Sequence, residues 1–316
     1  MTVFEGIAGL REGRATGPGG QIHYWDTGEP SSASGPPVAL LHGTGGSAES
    51  HFVDLLPMLA FRRRVIAVDY APRVMHSPDL HAYSDNLESA LTHCEVRDAV
   101  AVVGHSLGAA IATTFAASYP HRASSLVLVA GWLVTDVDQR LRQDIALRLW
   151  EEDRDALARF LVFTSFGSAY LNRRQHTEVS ALITTVRERL EQNPTWAQQM
   201  HLNRVLDISR EADSVTASSL VVGAKLDRVA PLHHSKLLFG AIEDARYVEV
   251  SCGHSVPLEH PAELHWLIEQ FTALPAATPS GSVWESRPLK FVTSHGTEEL
   301  ALPNSPSRRG RRNGVR

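Results

Sequence analysis

Cysteine is nearly absent: Cys94 and Cys252 are the two in 316 residues. Two thiols cannot build a disulfide framework or a four-cysteine zinc site, and a reducing, cytoplasmic setting is expected. Lysine is almost as scarce. Lys225, Lys236 and Lys290 are the three lysines, against 27 arginines. The run Arg308-Arg309-Gly310-Arg311-Arg312 therefore follows a general bias of the chain and reads first as a disordered basic end, with anion binding as the alternative. No apolar run approaches the ~18 residues that span a bilayer. The stretch Met1 to Leu10 contains Glu5 and no cationic start ahead of an apolar segment, so it does not read as a secretory signal. There is no G-x-x-x-x-G-K-[ST], no G-x-G-x-x-G and no H-E-x-x-H, so neither a nucleotide cradle nor a zinc-protease helix is expected, and no metal or other cofactor is implied. The net charge is −5. The segment 275–316 carries +4, which leaves −9 on the remainder. An acidic body gives no reason to expect nucleic-acid or anionic-membrane partners.

What is present suits a globular chain with a sizeable core: 43% hydrophobic and 21% charged residues, with a mean hydropathy of −0.14. Short apolar runs punctuate the sequence. Val38 to His42, Arg64 to Asp69, Ala99 to Val103, Ser125 to Ala130, Ser219 to Gly223 and Ala245 to Val250 read as strands buried on both faces, with Gln21 to Asp26 as an earlier, looser one. Helical patterns lie between them: Ser47 to Leu59 with Ser47 as cap, Ser84 to His93, Ala109 to Ser118, and Glu259 to Phe271. Strands alternating with helices predict an α/β fold with a doubly wound, mostly parallel sheet. From Trp132 to Thr216 no strand pattern occurs. The spacing of Leu141, Ile145 and Leu149, and of Leu157, Phe160 and Leu161, predicts an all-helical insertion. The expected organisation is a core of 1–131 and 217–274, a helical lid of 132–216, and a flexible basic extension of 275–316.

Gly104-His105-Ser106-Leu107-Gly108 fits G-x-S-x-G, with an apolar strand before it and a small-residue helix after it. A serine on a sharp strand-to-helix turn lifts its hydroxyl above the sheet. The glycines keep side chains out of the tight turn, and the helix start offers free backbone N–H groups beside the hydroxyl. The alternative is a glycine-containing turn with an incidental serine.

In this context the chain resembles the α/β-hydrolase-fold proteins, in the esterase and lipase-like group with a helical lid, over roughly Ile22 to Phe271. That family orders its nucleophile, acid and base as Ser, Asp or Glu, then His. The resemblance implies Ser106 as nucleophile, Asp227 after the fifth strand as acid, and His254 after the sixth as base. Asp136 is the substitute acid if Asp227 only caps a helix. The resemblance also implies an oxyanion hole formed by the Leu107 N–H and by the loop His42-Gly43-Thr44-Gly45-Gly46, with the Thr44 N–H ahead of that of Gly45. One departure stands out: after the second strand the family often has a glycine- and histidine-containing turn ending in serine, whereas residues 69–77 here contain no glycine.

Trp132, just past the fourth strand, is expected to face a small-molecule acyl substrate, as is Gly45. Leu133, Phe160, Phe163, Phe166 and Tyr170 either shape an apolar pocket or pack the helices on one another. Arg173 and Arg174 either read an anionic group or sit on a solvated face, and His233, His234 and His260 are expected at the surface or in loops. The function implied is a serine hydrolase that cleaves a small or medium carboxylic ester, thioester or lactone through an acyl-enzyme. Acyl transfer, lyase or cyclising chemistry on the same residues is the alternative, and a ligand-sensing protein a third.

Overall fold

The structure, a computed structural model, describes residues 3–4, 6–18, 20–70 and 79–285. A hairpin of β1 (Arg11–Gly17) and β2 (Gly20–Asp26) precedes the strand β3 (Val38–Leu41). Helices α1 (Ala48–His51) and α2 (Leu55–Ala60) lead to β4 (Val65–Asp69), α3 (Leu80–His93) to β5 (Val100–His105), and α4 (Leu107–Ser118) to β6 (Ala123–Val129). Then come α5 (Val137–Glu152), α6 (Arg154–Ser165), α7 (Ser168–Asn172), α8 (His176–Gln192), α9 (Trp196–Arg204) and α10 (Ser209–Asp213). The chain returns through β7 (Ser219–Ala224), α11 (Leu232–Ala241), β8 (Ala245–Val250), α12 (Val256–Glu259), α13 (Pro261–Ala273) and β9 (Val283–Trp284).

One sheet of order β1-β2-β4-β3-β5-β6-β7-β8-β9 carries this α/β fold. Only the β1–β2 and β2–β4 pairings are antiparallel. Strand β3 is apolar and buried at every position, and β4 to β8 are largely so, because both faces are covered. In β3, Val38 and Leu40 face the core beneath α2 and α13, while Ala39 and Leu41 face the core beneath α3 and α4. Winding runs outward in opposite directions from β3 and β5. The crevice beyond their carboxyl ends is thus a topological switch point, where open α/β sheets bind ligands.

Several sequence expectations change. The helix expected from Ser47 to Leu59 is broken into α1 and α2, with Ser47 capping the first by accepting from the Ser50 N–H at 3.1 Å. Strand β1 was not foreseen, since its residues lie on a half-exposed edge and show no buried run. The sheet also continues past residue 274, where a flexible extension was expected. β9 pairs with β8, and Trp284 packs against Phe271 at 6.1 Å between ring centroids. Residues 71–77, which hold the glycine-free departure, and the arginine-rich run at 308–312 lie outside the described residues.

Helix α5 is the clearest surprise. Two of the three apolar residues whose spacing predicted it face outward, Leu141 59% and Ile145 51% exposed, while Leu149 packs against the core of the helical segment. Its inward face carries Gln139, Gln143 and Ala146. No described helix is long and apolar enough to cross a membrane.

Candidate active site

Strand β5 ends at His105, and α4 begins at Leu107. Ser106 alone makes the turn, with φ 58° and ψ −120°. That left-handed backbone is strained for a residue bearing a Cβ and persists only where its surroundings enforce it. The Ser106 N–H donates to the Val129 carbonyl at 2.8 Å. The flanking glycines let α4 close on the sheet: a Cβ at Gly104 would lie 2.2 Å from the Gly108 carbonyl oxygen, and one at Gly108 would lie 2.1 Å from that of Leu41. Both contacts are backbone to backbone and cannot relax cheaply. Gly108→Ala is therefore expected to destabilise the fold by about 3 kcal/mol, measured as a lower urea midpoint.

His254 follows β8 in a buried loop. Its Nδ1 lies 2.7 Å from Asp227 Oδ2, and its Nε2 lies 2.8 Å from Ser106 Oγ. The carboxylate can only accept, so Nδ1 carries the proton and Nε2 accepts from the serine hydroxyl. The remaining Asp227 oxygen, Oδ1, accepts from the N–H groups of Val229 at 2.7 Å and Ala230 at 2.8 Å. These bonds fix the carboxylate from the side opposite the imidazole. All three residues are buried. Asp136 is engaged elsewhere. It caps α5 through the Gln139 N–H and lies 3.2 Å from His233 Nε2 and 3.1 Å from His234 Nε2. These three side chains are the one group among the described residues with metal-ligating atoms gathered within 4.8 Å of one another. His234 is 1% exposed, contrary to its expected surface position, because α11 turns it beneath the start of α5.

The glycine loop after β3 abuts the serine; a Cβ at Gly43 would meet Ser106 Cβ at 2.9 Å. Its amides are mostly taken. Gly43 N–H donates to His51 Nδ1 at 3.0 Å, Gly45 N–H to Gln199 Oε1 at 2.7 Å, and Gly46 N–H to the Gly43 carbonyl at 3.1 Å. Gly45 is thereby corrected as a reserve oxyanion donor, although it still lines the cavity. The Thr44 N–H has no partner among the described residues, and neither does that of Leu107, the first amide of α4. The Thr44 hydroxyl accepts from Asn203 Nδ2 at 2.8 Å.

A cavity of about 150 Å³ opens over Ser106 and His254, roofed by α5, α6, α8 and α9. Trp132 lines it, with its indole N–H on Thr135 Oγ1 at 2.8 Å. Of the four aromatics in question, Phe166 alone faces the cavity. Phe160 packs within the helical segment, Phe163 is 58% exposed beneath the Arg228 guanidinium, and Tyr170 stacks on Phe166. Cavity residues not foreseen include His51, Gln139, Arg142, Gln143, Trp196 and Asn203. Their polar spacing on α5 and α9 was visible, but nothing in the sequence said which helix face looks inward.

Burial lowers the imidazoles of His42 and His51, and that of His105 falls to about 3. They stay neutral, so no cationic imidazole among them competes beside Ser106. The unfolded chain takes up protons near pH 6.5 that these buried rings refuse, so stability is lost as pH falls below that value. His105 alone accounts for about 2 kcal/mol between pH 7.5 and 5. His23 and His260 are raised, chiefly by Asp69 and Glu263, and oppose the trend from more exposed positions. Urea midpoints at the two pH values should show the net loss.

The sequence profile described as the alpha/beta hydrolase family matches residues 38–265. Pyrrolizixenacetamide deacetylase of Xenorhabdus hominickii is 30% identical over 246 residues, covering 75% of this chain and 91% of that protein. The 2-hydroxy-6-oxo-6-phenylhexa-2,4-dienoate hydrolase of Burkholderia cepacia is 27% identical over 268 residues, covering 80% and 91% respectively. Among solved structures, a thermophilic esterase from Thermogutta terrifontis superposes with a TM-score of 0.68 at 20% identity, covering 83% of this chain and 97% of its own. A profile spanning most of the chain, on a switch-point crevice built as described, means that this protein belongs to the alpha/beta hydrolase family and is a hydrolase.

Proposed function

We propose that this protein is a serine hydrolase acting on a small or medium carboxylic ester, thioester or lactone through an acyl-enzyme. The reading is carried by one observation, the continuous line from the Asp227 carboxylate through the His254 imidazole to the Ser106 hydroxyl, at 2.7 and 2.8 Å. Serine is a poor nucleophile until a base takes its proton. As Ser106 Oγ bonds to the substrate carbonyl carbon, His254 Nε2 receives the hydroxyl proton, and Asp227 holds the imidazolium that forms. The oxyanion is met by the free N–H groups of Leu107 and Thr44, each such donor being worth about 3 kcal/mol in the transition state. Collapse breaks the bond to the leaving group, which takes the proton from His254. Water then attacks the acyl carbon by the same route in reverse and frees Ser106. Residues 132–216 act as a lid that excludes bulk water, with Trp132 and Gly45 against the substrate and the segments 1–131 and 217–274 as the supporting core. An amide is the second reading, favoured by the 30% identity to a deacetylase.

A fluorophosphonate probe tests the proposal. One adduct per chain, mapped to Ser106 by mass spectrometry, is expected. An unlabelled protein, or label on another residue, overturns it.

A further inference from the structure

The part of the cavity roof that α5 supplies is polar where an esterase pocket has no need of it. Helix α5 turns Gln139, Arg142 and Gln143 toward the space above Ser106, while Leu141 and Ile145 of the same helix face solvent. Amphipathic helices normally do the reverse. Three of the inward polar atoms, Gln139 Oε1, Arg142 Nε and Gln143 Oε1, are buried with no hydrogen-bond partner, as is Asn203 Oδ1 across the cavity. The Arg142 guanidinium donates to Thr164 Oγ1 at 3.0 Å and has no carboxylate paired with it among the described residues. Burial pushes it down to about 10, with Asp227 the one carboxylate that opposes the shift. The cavity's other arginine, Arg189, has Glu49 as its neighbouring carboxylate. The Phe160 ring, 5.6 Å from the Arg142 guanidinium carbon, is that group's other neighbour. A guanidinium with a buried, unsatisfied Nε and no carboxylate beside it is costly to keep, and buried polar groups are satisfied in nearly all folds. Such a set is stable when a ligand completes it.

We infer that Arg142, flanked by Gln139 and Gln143, is a carboxylate-binding subsite, and that the substrate is an apolar acyl compound bearing one carboxylate away from the scissile bond. A single unpaired guanidinium matches one negative charge, which favours a carboxylate over a dianionic phosphate. The planar fork of arginine accepts it bidentately, and the amides can each turn an NH2 group to the same oxygens. The apolar lining from α6, α8 and α9, including Leu161, Val162, Phe166, Val186 and Met200, takes the apolar body. This inference rests on the serine-hydrolase reading for the position of the scissile bond.

The test compares matched esters. p-Nitrophenyl hydrogen glutarate against p-nitrophenyl 5-methylhexanoate places the carboxylate on the acyl side. 4-Carboxyphenyl butyrate against 4-isopropylphenyl butyrate places it on the alcohol side. The wild type is expected to favour the charged member of at least one pair about 10-fold in kcat/KM. Arg142→Met should lower that charged-to-neutral ratio about 30-fold or more, with Arg142→Lys intermediate and Gln143→Leu smaller in effect. Circular dichroism checks that each variant folds, and Gln143→Leu serves if Arg142→Met does not. Calorimetric titration of glutarate into wild type and Arg142→Met gives a readout free of turnover, in which about 10-fold weaker binding by the variant is expected. A ratio unchanged within twofold together with equal glutarate binding overturns the subsite. Failure of the serine-hydrolase reading looks different: Ser106→Ala would then still turn over the neutral esters, while the glutarate titration would continue to decide Arg142.

Discussion

Ser106→Ala is expected to lower kcat for p-nitrophenyl butyrate by about 10⁴-fold or more, with the fold intact. The Ser106 hydroxyl makes its hydrogen bond to His254 Nε2. On the proposed mechanism its loss removes the nucleophile, while the turn is still held by the backbone bond to Val129 and by the glycines on either side. Members of a nucleophile, base and acid set act as a unit, so losing one forfeits most of what the set supplies, and the remaining donors give only a residual rate. Steady-state kinetics beside a thermal melt separate chemistry from folding. Turnover within tenfold of wild type would remove the serine mechanism, and a collapsed melt would call for Ser106→Gly before judging it.

Asp227→Asn is expected to reduce kcat by about 10³–10⁴-fold, and the hydrogen bonds give the reason. Asp227 Oδ1 accepts from two backbone N–H groups, those of Val229 and Ala230. An asparagine must keep its carbonyl oxygen there, because its NH2 group would otherwise face two donors. The NH2 then points at His254 Nδ1, which must accept. The ring proton moves to Nε2, and Nε2 can no longer receive the serine proton. Circular dichroism and a thermal melt provide the control for misfolding. A loss under tenfold would mean that another group orients His254. Asp136 is poorly placed for that task, since its carboxylate is committed to the α5 cap and to His233 and His234.

Elements whose burial leaves a continuous apolar run could be read directly. The central strands β3 to β8 and the Ser106 turn fell within a few residues of their expected positions, because a strand covered on both faces has no polar alternative to its side chains. The hairpin strand β1 and the short edge strand β9 escaped. Edge strands are half solvated, and their sequences are not distinguishable from loops until a neighbour supplies the ladder. The apolar spacing of α5 correctly marked a helix but misled about the orientation of its first half: of Leu141, Ile145 and Leu149, the first two face out and Leu149 alone packs inward. Periodicity reports that two faces differ, and the usual rule that the apolar face is buried fails where the buried space is a polar cavity. The Thr44 loop was expected beside the serine from family resemblance, yet only the hydrogen bonds of Gly43, Gly45 and Gly46 left the Thr44 amide as the free donor.

The sequence by itself determined the sheet's central strands and the turn that carries Ser106, while the order of serine, aspartate and histidine was what the family resemblance implied. The strands and the turn follow from local apolar runs and from glycines that let the backbone close tightly, and both are properties of neighbouring residues. Tertiary structure alone decided that Asp227 rather than Asp136 meets His254, that Gly45 spends its amide on Gln199, and that Arg142 looks into the cavity without a carboxylate. The first two are pairings across 27 and 154 residues, and the third is the absence of one. Competition among several chemically equivalent partners is resolved only when the packed fold fixes their distances.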